Sequence, residues 1–176
     1  MEGDDSDQKL AATLQAITAE FRRIEEDCIH SGKAHFNAAA RWNRYNYLLG
    51  LPSVVLSAAA GAAFFKDYPI AAGAMATTVS VLTGLMTFLK PSKIAGAHKN
   101  SGDQYLSLRN DARVFREIQL PQATTAQAAT EAISSFTSRR NELNQASLQF
   151  SRRDFEKARK GISQGEATHA VDHGVL

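Results

Sequence analysis

Near the start of the chain, Leu10, Leu14, Ile17, Phe21, Ile24 and Cys28 follow one another at spacings of 4, 3, 4, 3 and 4. That period places them on one face of a helix, with Glu20, Arg22, Arg23, Glu25, Glu26 and Asp27 on the polar face. The stripe predicts an amphipathic helix over residues 1–32, and its heptad-like spacing makes it a candidate oligomer-forming seam, although it is shorter than four heptads. Ser31 and Gly32 interrupt the pattern, so the chain either turns there or bends within one long helix. A helix leading into the next segment is predicted over 33–44.

The pattern then changes character. From Tyr45 to Phe65 there are 21 residues without a charge, and from Tyr68 to Leu89 another 22. As a helix, each covers about 30 Å, the thickness of a bilayer hydrocarbon core. Only Lys66 and Asp67 separate them, and Pro69 suits the first turn of a returning helix. Residues 45–89 therefore predict a two-span transmembrane hairpin. The competing arrangement is a hairpin buried in a soluble oligomer. The many Ala, Gly, Ser and Thr residues favour it, and the lack of any solvated polar face opposes it.

The flanks give an orientation. Arg41 and Arg44 precede the first span and Lys90, Lys93 and Lys99 follow the second, so the positive-inside bias puts both termini in the cytoplasm. The expected location is the cell inner membrane, as a multi-pass protein. Trp42, Tyr45, Tyr47 and Tyr68 stand where interfacial aromatic belts occur. In the second span Gly73, Thr77, Ser80, Gly84 and Thr87 recur at spacings of 4, 3, 4 and 3 on one face, and Met75, Val79, Leu82, Met86 and Leu89 on another. Gly50, Ser57 and Gly61 supply small surfaces in the first span, where Pro52 is a candidate kink. Small residues at this spacing allow close helix packing, which assigns that role to Gly50, Ser57, Gly61, Gly73 and Gly84. The alternative is that associated hairpins turn Thr77, Ser80 and Thr87 towards a central path. A single hairpin cannot enclose a pore, so that path requires a homo-oligomer.

After the hairpin, helical patterning resumes over 90–161. One helix is expected from Ile94 to Gln119, with Tyr105, Leu108, Val114, Phe115 and Ile118 on its packing face. Pro121, Thr124 and Thr125 mark a loop and a new N-cap. A last long helix is expected from Thr125 to Lys160, carrying Ile133, Phe136, Leu143, Phe150 and Phe155 and ending at Gly161. Residues 162–176 read as a flexible tail. The fold class is thus an all-α membrane protein, a hairpin with a cytoplasmic helical bundle.

Composition sharpens the picture in four ways. The 176 residues suffice for one ordinary domain but not for an enzyme domain with a separate regulator. The lone Cys28 excludes an intramolecular disulfide and most simply packs within its stripe. The acidic start leads into no apolar stretch, which predicts no cleavable signal. The net charge of +2 hides a gradient: eight acids and three bases in residues 1–31, then four acids and ten bases in 32–120.

No phosphate loop, dinucleotide loop, HExxH or paired-cysteine motif is present, and no nucleophile stands with an evident base, so no enzyme, cofactor or metal is expected. His169, Asp172 and His173 lack further ligands, while His30, His35 and His98 read as polar or interfacial residues. Arg109, Arg113 and Arg116 are candidate phosphate or partner contacts, set against the simpler reading of a solvated basic face, and Arg139, Arg140, Arg152 and Arg153 form further basic pairs. No aromatic-basic interleaving marks a nucleic-acid surface.

Several segments together carry a family resemblance over about residues 33–168. They are the two spans, the Leu89-Lys90-Pro91-Ser92-Lys93 exit, His98, Tyr105-Leu106-Ser107-Leu108-Arg109, Ala112-Arg113-Val114-Phe115, and the stretches Arg139 to Ser147 and Lys157 to Gly165. In these the chain resembles the SLATT proteins, two-transmembrane effectors associated with nucleotide synthetases or nucleotide sensors. The resemblance implies an oligomeric, membrane-permeabilising effector of a bacterial antiphage or conflict system. It also implies a partner that senses infection, commonly one that makes or binds a nucleotide signal and in some systems a reverse transcriptase. It transfers no catalytic residue. A non-conducting membrane scaffold or signalling adaptor is the alternative from another class. In either case the activating input is expected to arrive through the helices outside the hairpin.

Overall fold

The apolar stripe near the start of the chain is packed against later parts of the same chain. The computed structural model describes the backbone of residues 2–169 and the side chains of residues 8–169. Its elements are α1 (Glu2–Phe65), α2 (Pro69–Leu89), α3 (Pro91–Val114), a π-helical turn (Phe115–Gln119), a 3-10 turn (Leu120–Gln122), α4 (Ala126–Ala146) and α5 (Arg152–Ser163). No strand occurs among the described residues, so the all-α class expected from the patterning is what is found. Two compact units result, one formed by the described residues up to Asn37 and from His98 onward, the other by Ala38–Ala97.

In the first unit, helices α1, α3, α4 and α5 form a bundle. Ile17, Phe21, Ile24 and Cys28 of α1 are buried with Tyr105, Leu108 and Ala112 of α3, Leu120, and Ala129 and Leu143 of α4. Leu14 packs at the margin of this core and Leu10 is half-buried. The seam proposed for oligomerisation is therefore engaged within the chain. A 4-3 period specifies an apolar helix face and is silent on whether the partner helix belongs to the same chain. At the centre, Phe21 stacks on Phe115 and meets Phe136 edge-on, each with ring centroids 5.1 Å apart, while Phe115 and Phe136 lie 5.6 Å apart.

Helix α1 passes Gly32 unbroken. The glycine serves a close approach: a Cβ there would lie 3.4 Å from the Gly102 carbonyl oxygen, and one on Gly102 would lie 3.0 Å from the Phe36 ring. Two facing glycines thus let α1 and α3 cross with little between their backbones.

Three boundaries differ from the sequence expectation. On α3 the buried positions are Tyr105, Leu108 and Ala112, continued by the half-buried Phe115, whereas Val114 and Ile118 are exposed. Val114 lies off the 105–108–112–115 face, and for Ile118 the cause is the π-helical turn, whose bond from the Leu120 N–H to the Phe115 carbonyl spans five residues and brings Leu120 onto the core face in its place. The last helix is two helices: α4 ends at Ala146 and the chain is extended at Ser147 and Ser151. The restart is a capping box, in which Ser151 accepts from the Asp154 N–H and the Asp154 carboxylate accepts from the Ser151 N–H, both at 3.2 Å. Finally, α5 runs past Gly161 to Ser163. Its stop is Gly165 at φ 88°, with Glu166 N–H bonded to the Gly161 carbonyl and Gly165 N–H to that of Ile162. This is the Schellman arrangement, in which a left-handed residue folds the chain back over the last turn. The expected cap at Thr125 is present, accepting from the Ala128 N–H at 3.3 Å.

In the second unit, α1 and α2 are joined by Lys66, Asp67 and Tyr68. Asp67 sits at φ 60°, and Tyr68 N–H reaches the Ala63 carbonyl while Asp67 N–H reaches that of Phe64. Helix α1 therefore ends in the same motif as α5, with an aspartate in the left-handed position. Lys90 at φ 45° ends α2, and the next helix begins at Pro91, where a missing N–H costs no helical bond. Pro52 lies inside α1 without ending it.

Because Phe21 packs against both Phe115 and Phe136, Phe21→Ala should lower the stability of the first unit by about 3–5 kcal/mol. Chemical denaturation of the detergent-solubilised chain, followed by circular dichroism, is the measurement.

Candidate functional site

Two helices are long and apolar enough to cross a membrane, and only 6% of the most apolar window in each is buried by the chain. The hairpin's inner face is formed by half-buried Leu49, Leu56, Met75, Val79, Leu82 and Met86, with Ser53 and Ala72 buried. A Cβ on Gly50 would lie 3.5 Å from the Met86 methyl carbon, an ordinary van der Waals contact, so Gly50 faces the second helix of the hairpin. The other small positions have no such neighbour. Gly61, Gly73 and Gly84 would each meet nothing within 4 Å if given a Cβ, and Ser57 is exposed. Thus the stripe of Met75, Val79, Leu82 and Met86 holds the hairpin together, and Gly73, Thr77, Ser80 and Thr87 look away from the first span.

The outward surface is strongly apolar, with Ile70 89% and Phe88 90% exposed. Four of its hydroxyls are turned back onto the helix: Thr77 donates to the Gly73 carbonyl, Thr78 to Ala74, Ser80 to Ala76 and Thr87 to Thr83, at 2.9–3.0 Å. A hydroxyl bonded in this way needs no aqueous partner.

In the first unit the three candidate arginines separate. Arg116 grips Glu25 through two bonds, Nε to Oε1 at 2.6 Å and Nη2 to Oε2 at 3.1 Å, with the side chains only 13% and 14% exposed. Hydrogen bonding to Glu25 raises its pKa further, so Arg116 serves as a clamp between α1 and the end of α3 and presents no free fork to a ligand. Arg113 is half-buried. Arg109 lines a cavity together with Lys33 and donates to the Ala167 carbonyl at 3.3 Å. The basic pairs of α4 and α5 are largely engaged as well. Arg139 meets Asp111 at 2.7 Å, Arg140 meets Asp27 at 2.9 Å and Arg152 meets Glu156 at 2.8 Å.

Cys28 is fully buried, and burial together with the adjacent Asp27 carboxylate pushes its thiol up to about 12. At neutral pH it stays a thiol packed in the core, as its place in the stripe suggested.

The sequence reading missed a buried histidine pair. His35 and His98, treated there as polar or interfacial, are among the most buried side chains, with their Nδ1 atoms 2.9 Å apart. His35 stacks on Tyr105 at 5.5 Å and meets Phe150 edge-on at 5.1 Å. Tyr105 in turn donates to the Asn144 side chain at 2.7 Å. A hydrogen bond between two Nδ1 atoms requires one to donate and the other to accept. Burial, reinforced by repulsion from His98, lowers the His35 pKa from 6.5 to about 4. The fold therefore holds this ring neutral where the unfolded chain would protonate it.

Among the described residues no three His, Cys, Asp or Glu side chains cluster as a metal site. His169 is within the described residues, while Asp172 and His173 lie outside them. As pH falls below 6.5 the unfolded state gains the His35 proton first, and stability falls until about pH 4, where the folded ring titrates too. A shift of that size corresponds to about 3 kcal/mol over the window. Equilibrium unfolding as a function of pH should show this decline, and His35→Gln should flatten it.

Comparison of the chain with protein-family models, with curated proteins and with solved structures finds no match in any of the three.

Proposed function

We propose that the chain is a membrane-inserted effector whose hairpins associate in the bilayer and permeabilise it when a partner signals. The observation that carries this reading is the outward surface of the hairpin, apolar around its flanks and closed in its hydrogen bonding. An uncharged surface of this extent is far larger than a soluble monomer leaves in water. Lipid satisfies it. The basic flanks support an inner-membrane, two-span topology with both termini in the cytoplasm.

Association is supported by the small-residue stripe. Gly73, Thr77, Ser80 and Thr87 face outward, with the half-buried Gly84 between them, where a neighbouring hairpin could approach closely. In an oligomer the hydroxyls of Thr77, Ser80 and Thr87 are the polar groups available to line a path, because the spans carry no charge. The resemblance to SLATT proteins supplies the biological setting, an antiphage or conflict system with a nucleotide-signalling or other sensor partner. With the α1 stripe engaged in the bundle, the hairpin becomes the principal candidate for self-association.

Insertion and permeabilisation are separable by experiment. The protein should resist carbonate extraction, and protease added from outside the cell should leave both termini intact. In dye-loaded vesicles containing the activated protein, release should fall severalfold for Ser80→Leu and Thr87→Leu, with membrane insertion unchanged. Tight vesicles in the presence of the cognate partner and its signal would replace the permeabilising reading with that of a scaffold.

A further inference from the structure

Beyond the hairpin and the histidine pair, the first unit contains a cavity of about 360 Å³ between α1, α3 and the segment that follows α5. That volume is in the range of sites for small molecules. One wall is apolar, from Ile29, Phe36 and Leu106, and the other is cationic, from Lys33 and Arg109, with His169 contributing an imidazole. Arg109 has only the Ala167 carbonyl as a hydrogen-bond partner among the described residues, which leaves most of its planar fork unengaged.

The acidic partner of this wall comes from the chain itself. Glu166 forms an ion pair with Lys33. The two ends of the pair are unequal, the lysine side chain being 23% exposed and the glutamate 57%. The carboxylate lies over Gly161, where an added Cβ would clash with it and would stand 3.1 Å from the Lys33 Nζ. Gly165 in the left-handed conformation folds the chain back to deliver it there. Glu166 thus occupies the anion position of a cavity whose other charged side chains are the cationic Lys33 and Arg109. It is an exposed carboxylate on a short segment, held against a more buried ammonium.

We propose that this cavity binds a phosphate monoester carrying an aromatic or apolar group, and that the Glu166 carboxylate holds the anion position until the phosphoryl group displaces it. A phosphoryl group carries more negative charge than a carboxylate and offers three oxygens. It can therefore engage Lys33 and the Arg109 fork together, while its apolar portion lies against Phe36 and Leu106. Displacement frees the segment after α5 from Lys33, so ligand binding is linked to the position of that segment. Free phosphorylated small molecules and the headgroup of an anionic lipid share this chemistry.

The test uses the full chain in detergent micelles, with phenyl phosphate as probe and inorganic phosphate as the comparison, by titration calorimetry. Phenyl phosphate should bind saturably and more tightly than inorganic phosphate. Glu166→Gln, which removes the internal competitor, should tighten binding severalfold. Gly161→Ala, which pushes the carboxylate off Lys33 without changing charge, should do the same. Arg109→Gln should weaken binding about tenfold, with the helical content unchanged. Adding short-chain phosphatidic acid distinguishes the sources: competition with phenyl phosphate identifies a lipid headgroup, and its absence a free ligand. The proposal is overturned if phenyl phosphate fails to bind the Glu166→Gln protein, or if Arg109→Gln binds it as tightly as the unchanged chain.

Discussion

Between Tyr45 and Phe65, and again between Tyr68 and Leu89, no side chain carries a charge, and the outward faces of both helices are left bare by the rest of the chain. Apolar surface of that kind has to be covered, and helices are the form in which a chain can be covered by lipid with every backbone group already bonded. The hydroxyls of Thr77, Thr78, Ser80 and Thr87 follow the same logic, turned back to a carbonyl one turn earlier. Even the turn conforms. Three residues suffice because Asp67 takes the left-handed conformation and closes the first helix upon itself.

The first unit is built differently, with aromatic packing at its centre and ion pairs around it. Phe21, Phe115 and Phe136 bring α1, the end of α3 and α4 together, and the Arg116–Glu25, Arg139–Asp111 and Arg140–Asp27 pairs join the same three elements from outside. The exposed members of such pairs contribute little to stability individually, but they fix which faces meet. The charge gradient along the sequence thereby acquires a structural meaning. Acidic Glu25 and Asp27 near the start are counterparts of arginines far along the chain.

What could be read from the sequence was local. The uncharged runs, the apolar stripe and the Thr125 cap are each defined by neighbours within a turn or two, and each was legible. The partner of the stripe was not, because intramolecular and intermolecular helix contacts share one period. Gly32 looked like an interruption since the residue it faces, Gly102, is seventy positions away. The break after Ala146 involves neither glycine nor proline, but Ser151 followed three residues later by Asp154 is a capping-box signature legible in the sequence. Gly161 reads as the helix end, and the backbone gives the left-handed position to Gly165 instead. The cavity residues Lys33, Arg109 and Glu166 come from three distant segments, and only the Arg109 member was singled out beforehand. Likewise nothing near His35 announces His98.

The contact between those two histidines has a consequence for the identity of the rings themselves. With a single proton shared between the facing Nδ1 atoms, the neutral rings must be opposite tautomers, one carrying its hydrogen on Nδ1 and the other on Nε2. Two chemically equivalent side chains are thereby made inequivalent, one a donor and the other an acceptor at the same atom, so a single neutral contact between residues 63 positions apart in the chain fixes the hydrogen positions of both rings.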